Sequence, residues 1–263
     1  MQPHRSRYWL NADPEDAEVF GQQVAAVCDL YAQAGRLAER GIHLVSTDEK
    51  TGIQALERQY PDIPPGPGRV QLREYEYTRH GTTCLIANLE IWCGWIIAPT
   101  LGPTRTEADF VAHIEQTVAT DPAASWVFIT DNLNTHQSES LVLWVAQTCG
   151  IAEDLGEKGK RGVLKSQKSR AAFLSDQGHR IRLVYTPKHT SWLNQIEIWF
   201  GILVRKLLRR SSFRSVEDLK ARILAFIAYF NRTMAEPIRW LYSVEPKLAN
   251  GTGYRFLPRC TSQ

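Results

Sequence analysis

Apolar positions along the chain follow two rhythms. Val19, Phe20, Val24, Cys28, Tyr31 and Leu37 recur at helical spacing and predict a helix opening at Asp13-Pro14-Glu15-Asp16 and closing at Gly41. β-branched and aromatic runs predict strands at 42–48, 125–131 and 180–185, the first two each finishing on an acid, Asp48 and Asp131. Between those two strands the pattern predicts a turn at Lys50-Thr51-Gly52 and a surface loop over 61–68, where four prolines and two glycines exclude regular structure. An edge strand over 69–78 and paired strands at 81–87 and 91–97, turning near 88–90, complete that region.

Further helices are predicted from Thr106-Glu107-Ala108-Asp109, with Phe110, Val111, Ile114 and Val118 as core face, and from Ser215-Val216-Glu217-Asp218, stopped by Pro237. A helix over 138–149 carries Leu141 to Val145 as consecutive apolar residues, which predicts burial on more than one side. The order strand, helix, parallel strand makes this an α/β chain with a mixed sheet and helices on both faces. We divide it into a lead-in segment and helix (1–40), a main domain (41–241) with an insertion at about 151–179 before the last core strand, and a loop-like tail (242–263).

Composition narrows the function classes. At 263 residues and 43% hydrophobic content the chain can bury a full core. Five scattered cysteines without a Cys-x-x-Cys pair predict reduced thiols and a cytoplasmic setting instead of a disulfide framework or a zinc site. No basic segment followed by an apolar run opens the chain, so neither export nor a membrane is expected. The net charge of +3 hides an asymmetry: residues 158–214 hold fourteen Lys and Arg against Asp176 and Glu197, while the remainder holds 17 basic and 26 acidic residues. A basic block of that kind suits a polyanion, or forms a solvated surface.

Inside that block, Glu197 is the one formal charge between Lys188 and Arg205. At helical spacing it shares a row with Leu193, Val204 and Leu208, and Gly201 leaves room beside it. An ionised carboxylate on such a row needs a cation or several hydrogen bonds, unless it reaches solvent at the edge of the stripe. Ser191 is the expected cap of this helix. Asp48 shares a strand face with Ile42 and Leu44, and Asp131 with Val127 and Ile129. On parallel neighbouring strands the two carboxylates bracket one divalent cation, and Glu197 from a facing helix completes an oxygen cage. Oxygen ligands favour Mg2+ or Mn2+, and two such ions serve in-line displacement at phosphorus. Lys158, Lys160, Arg161 and Lys165 alternate with glycines as a flexible cationic loop for phosphate, without P-loop order. Trp192 either stacks on an unpaired base or packs in the core; His136 either orients a phosphate or metal-bound water or is a polar loop residue.

The phrases Ser46-Thr47-Asp48-Glu49-Lys50-Thr51, Thr130-Asp131-Asn132-Leu133-Asn134-Thr135-His136 and Pro187-Lys188-His189-Thr190-Ser191-Trp192-Leu193-Asn194-Gln195-Ile196-Glu197 resemble the DDE transposase catalytic domain of bacterial insertion sequences related to the mariner group. The resemblance implies an RNase H-like fold in which Asp48, Asp131 and Glu197 are catalytic and bind two Mg2+ or Mn2+ ions. It implies cleavage at terminal inverted repeats and attack of the freed 3′-hydroxyl on target DNA, typically at a TA step. Asn132, His136 and Asn194 match motif positions as supporting residues. Double-stranded DNA, a homodimer and a separately encoded helix-turn-helix domain are the implied partners, with Lys158, Lys160, Arg161, Lys165, Lys188, Trp192, Arg205 and Lys206 as the DNA-binding set. Two departures stand out. Sixty-five residues separate Asp131 from Glu197, where the mariner-related pattern has roughly half as many, and the chain enters the catalytic region without the family's usual front domains. A nuclease that only hydrolyses and an inactive DNA-binding remnant are the alternatives.

Overall fold

A computed structural model describes residues 17–72, 74–240, 242–246 and 254–258. The expected helix start at Asp13-Pro14 lies outside the described residues. Helix α1 (Ala17–Glu39) leads into the strands β1 (Ile42–Arg58), β2 (Tyr77–Glu90) and β3 (Ile96–Gly102). Then come α2 (Glu107–Val118), β4 (Ser125–Thr130), α3 (Glu139–Cys149), α4 (Gln167–Leu174), β5 (Ile181–Tyr185), α5 (Ile196–Leu203) and α6 (Val216–Thr233). The tail holds an antiparallel hairpin, β6 (Tyr242–Pro246) with β7 (Tyr254–Pro258), where a loop was expected.

The main sheet has the order β3-β2-β1-β4-β5. The β1-β2 and β2-β3 pairs are antiparallel, whereas β4 is parallel to both β1 and β5. Strand alternation divides the core in two. Leu44, Val127 and Ile129 pack with α1, α5 and α6 on one face; Val45, Trp126, Phe128 and Leu183 pack with α2, α3 and α4 on the other. Helices therefore cover both faces, as expected. The capping box at Thr106 and the caps at Ser138 and Ser215 form where the sequence indicates. In α3, Leu143 is exposed while Leu141, Val142, Val145 and Ala146 are buried, so this helix buries a single face.

Three expectations about the strands change. β1 does not stop at Asp48 but continues to Arg58, and Lys50-Thr51-Gly52 is a bulge within it, with Gly52 at φ +63°. The turn expected near 88–90 comes after Glu90, because Asn88 and Glu90 are buried with partners. Asn88 accepts from Thr47 Oγ1 (2.6 Å) and donates to Thr117 Oγ1 (2.7 Å), and Glu90 meets His43 Nδ1 at 2.7 Å. Over 69–76 no strand forms among the described residues beyond isolated bridges such as Ile63 with Leu72.

The first helix is part of the core: Val24, Val27, Cys28, Tyr31 and Ala34 are buried in the α5 face. The Tyr31 hydroxyl donates to the Leu193 carbonyl at 2.6 Å, tying α1 to the turn that precedes α5. Tyr31→Phe leaves that buried carbonyl without its donor and is expected to cost about 1–3 kcal/mol, read as a lower midpoint in urea melts.

Candidate active site

Parallel pairing of β1 with β4 runs from Ile42↔Ser125 to Ser46↔Ile129 and stops there. Two residues further on, the same register sets Asp48 opposite Asp131, just past the end of β4. β1 outruns its parallel neighbour while β2 still supports its other edge, with Asp48 paired to Ala87. Asp48 keeps the parity of Leu44, and Asp131 that of Val127 and Ile129, so both belong to the α5 face.

A segment from β5 brings the helix to this point. Thr186 N–H donates to the Thr130 carbonyl at 2.9 Å, and a short turn, Ser191–Leu193, follows. Asn194, 1% exposed, then binds β1 where its pairing with β4 stops. Its amide nitrogen donates to the Thr47 carbonyl (3.1 Å) and to Asp48 Oδ2 (3.0 Å), and its amide oxygen accepts from the Ser46 hydroxyl. Ser46 Oγ in turn accepts from Ile196 N–H at 2.9 Å. α5 therefore begins at Ile196, stitched to β1, and Ser191 is not its cap. Because Leu193 lies before the helix, the expected row from Leu193 to Glu197 does not exist. The buried side of α5 is Ile196, Trp199, Phe200 and Leu203, and Glu197 is exposed on its first turn. The room left by Gly201 is taken by the Arg205 guanidinium, whose Nη1 lies 3.1 Å from the position a β-carbon would occupy.

The loop after β4 is fixed from several sides. Asp131 Oδ1 accepts from Leu133 N–H (2.9 Å) and meets His136 Nδ1 at 2.8 Å. His136 Nε2 is 3.0 Å from Glu49 Oε1. Asn132 donates to the Thr186 carbonyl at 2.5 Å and accepts from Gln137 at 3.2 Å, joining the ends of β4 and β5. From α4, Arg170 donates to the Gln137 carbonyl (2.6 Å) and Gln167 to Asn134 (2.8 Å).

The electrostatics of the acids differ. Burial pushes the Asp48 carboxyl up to about 7 despite the Glu49 amide, and the negative charges of Asp131, Glu49 and Glu197 push the same way. Burial alone would raise Asp131, but the His136 and Leu133 hydrogen bonds hold it below the usual carboxylate range. Burial would lower His136; its bonds to Asp131 and Glu49 outweigh that and push it up to about 9. Asp48 thus lies within the field of both Asp131 and Glu197. The three do not form the closed cage expected from the sequence: among the described residues no three His, Cys, Asp or Glu side chains converge on an ion-sized space. Glu197 stands at the solvent rim because α5 starts only one residue before it. Glu49 was not anticipated, although its strand parity, shared with Val45 and Thr47, marked a carboxylate aimed into the α2 face.

Of the loop cations, Lys158 pairs with Glu139 (3.1 Å), Lys160 with Glu157 (2.6 Å) and Arg161 with Asp154 (2.5 Å). The loop itself is a hydrogen-bonded turn, with Glu157 N–H bonded to the Arg161 carbonyl and Leu164 N–H to that of Leu155, and Lys165 closes a short helical turn. The backbones pack so tightly that a β-carbon on Gly156 would lie 2.2 Å from the Arg161 oxygen, so the loop is a built element where a flexible one was expected. Lys188 and Trp192 are exposed on the segment between β5 and α5, and Trp192 lies parallel to Trp240 at 6.3 Å. Arg205 and Lys206 are exposed beyond the last turn of α5, about 12 Å along the axis from Glu197.

A family model described as DDE superfamily endonuclease matches residues 43–220. Among solved structures, the Mos1 mariner paired-end complex with Mn is similar at a TM-score of 0.50 and 14% identity, covering 85% of this chain and 59% of that one. The catalytic domain of Mos1 mariner transposase gives 0.46 and 12%, covering 84% and 85%. The chain thus spans about three-fifths of the first of these proteins and most of the second. No curated protein matches the sequence.

Asp48 generates a stability prediction. An unfolded Asp gives up its proton near 3.8, whereas the folded protein keeps it up to about 7. The relative stability present at low pH is therefore lost as the pH rises between those values, and the full cost applies above 7. In chelator, Asp48→Asn is expected to differ little from the parent near pH 4.5 and to exceed it near pH 8 by about 2–4 kcal/mol in urea melts.

Proposed function

The chain belongs to the DDE superfamily of endonucleases, and from that premise we propose that it is the catalytic domain of a DNA transposase. In this reading it cleaves DNA at the ends of its element and joins the freed 3′-hydroxyl to target DNA. The observation that carries it is the β1-β4 register, which sets Asp48 against Asp131 past a strand end while Asn194 holds the Glu197 helix over them.

The residues fit a hard divalent cation. The donors are carboxylate oxygens, and burial, with the charges of Asp131, Glu49 and Glu197 nearby, raises the proton affinity of Asp48, a cost that a bound cation would offset. The Mos1 mariner complex of similar fold is solved with Mn. Asp48 and Asp131 would hold Mg2+ or Mn2+, two ions in the full complement, with Glu197 as the third ligand. When bound, the ions activate the attacking oxygen and stabilise charge at phosphorus. Asn194 keeps the Asp48 carboxylate facing α5, and the Leu133 amide fixes that of Asp131.

The duplex is led to the acids by exposed Lys188, Arg205 and Lys206 and by the loop carrying Lys158, Lys160, Arg161 and Lys165, whose ion pairs exchange for phosphates. Trp192 offers a ring to an unstacked base. Transposon ends and target DNA are the partners. The working unit is a homodimer acting in the cytoplasm together with a helix-turn-helix domain. Among the described residues no helix is long and apolar enough to cross a membrane.

The test is Mn2+-dependent nicking and joining of oligonucleotide ends. Asp48→Asn, Asp131→Asn and Glu197→Gln are each expected to lower nicking at least about a hundredfold with DNA binding retained. Nicking without joining would favour a nuclease that only hydrolyses; binding without any cleavage would favour an inactive remnant. A second measurement addresses the DNA path: Arg205→Ala/Lys206→Ala is expected to weaken binding across sequences and to reduce the slope of log affinity against log salt by about 2.

A further inference from the structure

Behind the acids that face α5 lies a buried pair for which the function proposed above has no role. Glu49 follows Asp48 in β1 and so points through the sheet to the α2 face, where its side chain is 2% exposed. A carboxylate at that depth is costly unless it is paired. Its partner is His136, also fully buried, with Nε2 3.0 Å from Glu49 Oε1 and Nδ1 2.8 Å from Asp131 Oδ1. Ionised carboxylates only accept, so an imidazole held between two of them donates from both nitrogens. The ring is fixed in place: Phe110 lies against it with centroids 4.2 Å apart, Thr130 Oγ1 is 2.8 Å from Nδ1, and the Tyr185 hydroxyl donates to the His136 carbonyl at 2.8 Å.

The chain of contacts ends on a half-exposed group. Asp131 is 47% exposed at its side chain, and Oδ1 is the oxygen held by His136 and by the Leu133 amide. Oδ2 has no hydrogen-bond partner among the described residues. A buried ion pair is seldom needed for stability alone, since apolar residues of the same size often serve as well. Its alignment onto a single exposed carboxylate gives it another use.

We propose that Glu49 and His136 are positioning residues that lock the Asp131 carboxylate, through Oδ1, in the orientation that presents Oδ2 to a divalent cation. The inference rests on the DDE reading of Asp48 and Asp131. Outer-shell partners of this kind hold a ligand in its binding rotamer before the ion arrives, and their loss weakens metal affinity 10–100-fold.

The experiment titrates Mn2+ alone into the full chain without DNA, followed by electron paramagnetic resonance of the free ion, with thermal melts alongside. Glu49→Gln and His136→Asn are expected to bind Mn2+ at least about tenfold more weakly at a temperature where each is folded. The double variant Glu49→Leu/His136→Phe removes both buried polar groups together and is expected to keep its melting midpoint while showing the same loss of affinity. Parent-like Mn2+ affinity in any folded variant of the three overturns the inference, as does failure of all three to fold, which makes the pair a fold element alone. Asp48→Asn and Asp131→Asn separate the two levels. If they bind Mn2+ as the parent does, the DDE reading itself fails; if they abolish binding while Glu49→Gln leaves it unchanged, only the positioning role does.

Discussion

The parallel register between β1 and β4 is the constraint on which the other features depend. A strand shows opposite faces at successive residues, so a slip of one position would exchange Asp48 for Glu49 on the α5 face. The slip is costly because both faces of β1 are buried: Leu44 would move into the cluster of α2 and α3, and Val45 into that of α1 and α5. Core packing at residues 44–46 thus decides which acid meets Asp131 two residues later. The overhang that carries Asp48 stays in place because β2 pairs with β1 as far as Arg58↔Tyr77.

Gathering acids at a strand end has an electrostatic cost that the fold distributes unevenly. His136 compensates Glu49 and Asp131 directly, and Asp131 stays ionised at ordinary pH as a result. Among the described residues the donors to Asp48 are neutral, the Asn194 amide and the Glu49 N–H, and its carboxyl holds a proton up to about 7. The compensated acid is fixed and the uncompensated one keeps a demand for positive charge. A site that satisfied both internally would be more stable and would have less use for a cation.

What the sequence revealed here was periodicity, and what it concealed was tertiary partnership. The strands that carry the chain to Asp48 and Asp131 and the helices on both faces follow from alternation and caps that local residues determine, although β1 runs on past Asp48 to Arg58. The start of α5 does not, because Ser191 is an adequate cap in isolation and only the bonds from Asn194 to Ser46 and Thr47 delay the helix to Ile196. The turn expected near 88–90 is absent for the same reason: Asn88 and Glu90 have the composition of a turn but partners in Thr47, Thr117 and His43. Glu49 is legible as a charge at a core-facing parity, but its partner His136 lies 87 residues away and no local pattern joins the two.

The long separation of Asp131 from Glu197 has a structural answer. The ends of β4 and β5 are held side by side by the pair Thr130↔Tyr185 whatever connects them behind the sheet. The length of chain between α3 and β5 therefore leaves the spacing of the acids unchanged, and the twelve-residue step from Tyr185 to Glu197 spans the site. The segment between α3 and β5 makes contacts at the same end of the sheet. Through Arg170 and Gln167, α4 grips the loop that carries His136, and Lys158 reaches the first turn of α3 at Glu139. Loop-closure entropy grows slowly with length, so a long connection on this face costs little, and here it supplies bonds that hold the Asp131 loop.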